Sequence, residues 1–126
     1  MLKILLASPD ELSLSILASV MEENDDVQMS WAESGKSALE MVSKTAFDLV
    51  VADEKLGDMT GLDFAEKLVV INPMVNCAAV SSLSDEEFHE ASEGLGLLAQ
   101  LPVNPAKEHA EPLLKTLRQL KGALST

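Results

Sequence analysis

Phe47-Asp48-Leu49-Val50-Val51-Ala52-Asp53 runs directly into Glu54-Lys55-Leu56-Gly57-Asp58-Met59-Thr60-Gly61. The first half is unbroken apolar chain from Leu49 to Ala52 and stops on a carboxylate. A short apolar run without polar alternation fits a strand covered on both faces, the kind found in parallel sheets. Phe47–Ala52 is therefore predicted as a strand and Leu56–Thr60 as a polar loop. Leu62–Ile71 is predicted as a helix, ended by Asn72-Pro73.

The same alternation repeats on either side. Before it, Ile4–Ala7 is predicted as a buried strand, then Asp10–Glu23 as a helix with Leu12, Ile16 and Val20 on one face. Val27–Ala32 follows as a second strand. Ser34 caps a helix through Lys44 that buries Ala38, Leu39 and Val42. After it, Val75–Val80 is the fourth strand. Ser84-Asp85-Glu86-Glu87 is a capping box that opens a helix through Glu93, and Gly94 ends that helix. Leu97–Leu101 is the fifth strand. Leu113, Leu117, Leu120 and Leu124 mark the stripe of a last helix. Pro112 suits its start better than its interior, which leaves an extra turn over Asn104–His109 and the main helix from Glu111.

Strands that each lead into a helix predict an α/β fold. The expected form is a flavodoxin-like, doubly wound (βα)5 domain over residues 1–126, its five parallel strands in the order 2-1-3-4-5. A site in such a sheet lies at the carboxyl ends of the strands, where the first and third diverge. That selects Ser8, Pro9 and Asp10 after the first strand and Asp53 after the third. Ser81 and Ser82 follow the fourth, and Pro102 the fifth.

Composition narrows the function. The chain has 126 residues, 47% hydrophobic and 24% charged, which is globular rather than disordered. Nine basic against 21 acidic residues give a net charge of −12. That charge repels phosphate backbones and anionic lipid, so neither nucleic acid nor membrane is expected as a partner. A single cysteine, Cys77, excludes a disulfide framework and a multi-cysteine zinc site. In a buried strand it is a small core hydrophobe. His89 and His109 have no ligand spacing and are expected at the surface. Ile4–Ala7 is too short for a signal peptide or a span, which predicts a cytoplasmic location. No glycine-rich phosphate loop follows the first strand and no nucleophile–base pair is evident, which argues against an enzyme.

The positions singled out resemble the receiver domain of bacterial response regulators, the CheY-like phosphoacceptor module, from Lys3 to about Leu120. In that family an aspartate ends the third strand and a glycine follows eight residues later, here Asp53 and Gly61. The resemblance implies four working parts. An aspartate accepts a phosphoryl group from a histidine kinase. Two acids after the first strand hold Mg²⁺. A Ser or Thr after the fourth strand bonds the phosphoryl group, and a lysine after the fifth pairs with the anions. Such chemistry is mainly positioning and charge neutralisation.

Carried over, the resemblance puts Asp53 at the phosphoacceptor position and Ser81 at the hydroxyl position. Ser8 and Pro9 stand where the acidic pair belongs, and Asp10 matches the acid that often follows it. Leu101 stands at the lysine position, followed by Pro102 at the family's frequently cis proline. A gapped alignment puts Asn104-Pro105 there instead. Leu98 takes the aromatic switch position. Lys55 falls where the loop offers a backbone carbonyl, so any residual metal site would comprise Asp10, Asp53 and Lys55. Ser8-Pro9-Asp10-Glu11 also has a structural explanation: Ser8 as N-cap, Pro9 as first helical residue and Glu11 closing a capping box. Ser81 equally suits a turn hydroxyl.

Two readings follow for two-component signalling. One is an atypical pseudo-receiver, a protein-interaction module with impaired Mg²⁺ binding and phosphorylation and no cofactor. Its partners would be a histidine kinase or other signalling protein, or a second copy through the face from the fourth helix to the fifth. The other is a working receiver phosphorylated on Asp53 by a histidine kinase, with Asp10 and water carrying Mg²⁺.

Overall fold

Leu49–Ala52 forms β3, the central strand of a five-stranded parallel sheet in a computed structural model that describes residues 1–124. Around it lie β1 (Leu2–Ala7), β2 (Val27–Ala32), β4 (Asn76–Val80) and β5 (Ala99–Leu101), in the order β2-β1-β3-β4-β5. The connecting helices are α1 (Ser15–Glu22), α2 (Gly35–Lys44), α3 (Gly61–Ile71) and α4 (Asp85–Ala91), and α5 (Lys107–Leu124) is the last described element. This is the predicted doubly wound architecture.

Successive strand residues face opposite sides of the sheet, so each central strand feeds two cores. Ile4, Leu6, Leu49 and Val51 pack with Leu14, Leu17 and Met21 on one side and with Leu114 and Leu117 of α5. Leu5, Ala7, Val50 and Ala52 pack on the other side with Ala38 and Val42 of α2 and with Phe64 and Leu68 of α3. Register aligns the strand ends: Ala7 pairs with both Ala32 and Ala52, Ala52 with Ala79, and Val80 with Leu101. The residues that follow these pairs therefore emerge along one edge. No helix among the described residues is long and apolar enough to cross a membrane.

Several local expectations are corrected. The first helix does not start with Ser8 as its cap. A 3-10 turn, Glu11–Leu14, comes first, with Asp10 as its N-cap accepting from the Leu12 N–H at 3.1 Å, and Pro9 lies outside it. A 3-10 turn advances faster than an α-helix, which shifts the buried face. Leu14, Leu17, Ala18 and Met21 are buried, while Leu12 and Ile16 are 80% and 55% exposed.

The last helix begins at Lys107 and carries Pro112 inside it. Its start is set by His109, whose Nδ1 accepts the Ala106 N–H at 2.9 Å, so this imidazole is a cap rather than a free surface group. Buried Ala110 extends the stripe of Leu113, Leu114 and Leu117 back by a turn, and packing of that stripe holds Pro112 in the helix. Leu120 is 39% exposed, and the place of Leu124 on the stripe lies outside the described side chains. No peptide bond among the described residues is cis, so Pro102 is trans. The chain instead turns at Asn104, in the left-handed region at φ 56°.

Candidate functional site

Asp53 follows β3 directly, and its N–H donates to the Ala7 carbonyl at 2.9 Å. That bond continues the β1–β3 ladder by one step and brings Ser8 beside it. Ser8, 2% exposed, places Oγ 2.7 Å from Asp53 Oδ2. Ser13, in the 3-10 turn, reaches the same oxygen at 2.5 Å. Both hydroxyls also lie 2.8 Å from the Asp10 carbonyl, and 3.2 Å from each other. Each hydroxyl has one proton, so two protons serve the Asp53 carboxylate and the Asp10 carbonyl between them. The other carboxylate oxygen, Oδ1, accepts the Glu54 N–H at 2.8 Å.

The remaining positions take separate roles. Asp10 is exposed and its carboxylate accepts the Leu12 N–H as the cap of the 3-10 turn. Pro9 is exposed and offers no donor. Leu101 ends β5 opposite Val80 and lies 3% exposed in the core beneath α1 and α5. Leu98 packs partly buried against the same core. Lys55 is exposed, and its backbone bridges to Thr60 across the loop. Ser81 is buried, but its Oγ accepts the Leu83 N–H at 3.2 Å, a turn within its own segment. Among the described residues no three His, Cys, Asp or Glu side chains assemble into a metal-holding group.

Three further residues bond at or near this edge, and two of them, Glu54 and Asp58, are already legible in the sequence as acidic neighbours of Asp53. Ser13 is one, and its signal was available: it lies three residues after Asp10, the spacing of a turn capped by Asp10 rather than Ser8. Glu54 is the second, with Oε2 accepting the Ser82 N–H at 2.6 Å and the Ser82 hydroxyl at 2.8 Å. Asp58 is the third. Its carboxylate accepts the Gly35 and Lys36 N–H groups, both at 2.9 Å, at the start of α2. Those amides hold the Asp58 carboxyl below its ordinary range. Nothing local in the sequence pairs residues 28 or 23 positions apart. Cys77 is inert, since burial pushes its thiol up to about 12.

The response regulator receiver domain model matches residues 4–102. The chain belongs to the response regulator receiver domain family. It is similar to the aerobic respiration control sensor protein ArcB of Escherichia coli, 33% identical over 75% of this chain but spanning only 12% of that protein's length. It is 27% identical to the sporulation initiation phosphotransferase F of Bacillus subtilis, covering 71% of this chain and 72% of that one. The CheY-like receiver domain protein from Methanospirillum hungatei has the same fold. Its TM-score is 0.81 at 22% identity, over 98% of both chains. The chain is thus a receiver domain of two-component signalling, and the edge of the receiver sheet that carries Asp53 is its candidate site.

Proposed function

We propose that this receiver is a pseudo-receiver, a protein-interaction module whose Mg²⁺ binding and phosphorylation at Asp53 are impaired. The observation that carries the reading is the filling of Asp53 Oδ2 by the hydroxyls of Ser8 and Ser13. Mg²⁺ takes oxygen ligands in near-octahedral geometry and relies on carboxylates for charge. Ser8 presents a proton where a second carboxylate would present charge. Asp10 is turned to its cap, and Pro9 has no side-chain ligand. This donor set does not fit the ion.

Charge points the same way. An incoming phosphoryl group meets Asp53 and Glu54 side by side, and Leu101 provides no cation. Near a protein surface one uncompensated unit pair at about 4 Å is worth roughly 4 kcal/mol. Each ~1.4 kcal/mol is tenfold in an equilibrium constant. Partners are then a histidine kinase or other signalling protein, or a second copy, met on the face made by α4, β5 and α5 without regard to phosphate.

The test is acetyl phosphate labelling with Mg²⁺, read by intact mass and controlled by Asp53→Asn. Little label is expected on the native chain. The combined change Ser8→Asp, Pro9→Asp and Leu101→Lys should raise it. Ready labelling of the native chain, lost in Asp53→Asn, returns the domain to the working receivers.

A further inference from the structure

The segment between β4 and α4 is held by a carboxylate from another loop. The Ser82 N–H and hydroxyl converge on one oxygen, Glu54 Oε2, at 2.6 and 2.8 Å. Two donors aimed at a single oxygen form a pair suited to an oxyanion, and bonds to an ionised acceptor are the strong kind. We propose that Glu54 is a built-in anionic ligand for this pair, latching the Ser81–Leu83 segment, and with it α4, to the Asp53 end of the sheet.

Both ends of the latch are anchored. Glu54 is pinned through its backbone, since its N–H donates to Asp53 Oδ1 at 2.8 Å and its carbonyl accepts the Gly61 N–H at 3.0 Å. Its side chain starts from a fixed point, so little freedom is lost in reaching Ser82. The far side of the segment is tied to β5, where Gln100 Nε2 donates to the Leu83 carbonyl at 2.8 Å. Ser84 follows at once as the N-cap of α4, bonded reciprocally with Glu87. The position of Ser82 thus passes into α4 with no slack residue except Leu83. An outside oxyanion, such as a phosphoryl group, would have to displace Glu54 before it could recruit Ser82. The latch rests on the pseudo-receiver reading only in this last consequence.

Amide hydrogen exchange and ¹⁵N chemical shifts on the full chain, without Mg²⁺ or phosphate donor, test it. Glu54→Ala should speed exchange at the Ser82 N–H by about tenfold or more. It should also shift the amides of Asp85–Ala91. Glu54→Gln keeps the shape and an acceptor but loses the charge, and should give a smaller change in the same direction. Ser82→Ala, which keeps the backbone N–H, should move the α4 amides and leave the amide at position 82 partly protected. Unchanged Ser82 exchange and unchanged α4 shifts in both Glu54 variants would overturn the latch. Because no phosphate is present, labelling of Asp53 in the earlier experiment sinks the pseudo-receiver reading and leaves this result standing.

Discussion

Gly61 lies so close to Asp53 that a Cβ built on it would come within 2.4 Å of the Asp53 carbonyl oxygen. The close approach lets the Gly61 N–H reach the Glu54 carbonyl at 3.0 Å and lets α3 begin there, with Thr60 and Asp63 as a capping box. The eight-residue spacing from Asp53 to Gly61 is therefore steric in origin. It closes the loop that carries Glu54, Lys55 and Asp58.

Gly61→Ala should destabilise the domain by roughly 1–3 kcal/mol, the range for a methyl group forced into filled space. The cost falls on backbone that cannot rotate away. Urea denaturation measures it, and the amides of Asp53 and Glu54 should shift in the same variant. A stability within 0.5 kcal/mol of the native chain, the ordinary surface range of about ±0.5, would show that the loop relaxes freely.

Asp58 gives a pH dependence with a definite sign. Its carboxyl is held low by the Lys36 and Gly35 amides, in that order, so the folded value lies below the unfolded one. Its contribution is fully present above the unfolded value and is lost as pH falls through the folded one. The urea midpoint should therefore drop on acidification, from about the ordinary aspartate range downward. Asp58→Asn should lower the midpoint at neutral pH and flatten that part of the acid limb. An acid limb identical to the native one would assign the dependence to other carboxylates, such as Asp26 beside Arg118.

Pro112 is the sixth residue of α5 and has no N–H for the Glu108 carbonyl. Pro112→Ala restores that bond on an exposed surface and should stabilise the domain, by up to ~3 kcal/mol less the entropy regained by the unfolded chain. A rise in melting temperature is the expected reading. A fall would mean that the proline ring packs favourably in the groove it lines with Leu98, Leu101 and Leu113.

Much of this architecture was written in local pattern. The apolar run Leu49–Ala52 marked β3, and the Ser34 and Ser84 caps marked α2 and α4. Short apolar runs alternating with amphipathic ones allowed few arrangements besides the sheet order found. The errors fell where one short-range device replaced another. Asp10 capped the first turn in place of Ser8, and its 3-10 geometry moved Leu12 and Ile16 to solvent. His109 capped the last helix ahead of Pro112.

The sequence by itself determined the strands, most of the helices and the position of Asp53, because hydrophobic period, capping and turn chemistry are properties of neighbouring residues. By resemblance alone it set the expectation that Ser8, Pro9 and Leu101 stand at a receiver's acidic-pair and lysine positions. Only the tertiary structure decided what those residues do. Ser8 and Ser13 meet Asp53 across 45 and 40 residues, and Glu54 meets Ser82 across 28. A hydroxyl finds a carboxylate at such separation only when register and helix packing fix both backbones within hydrogen-bond reach, and no local pattern encodes that distance.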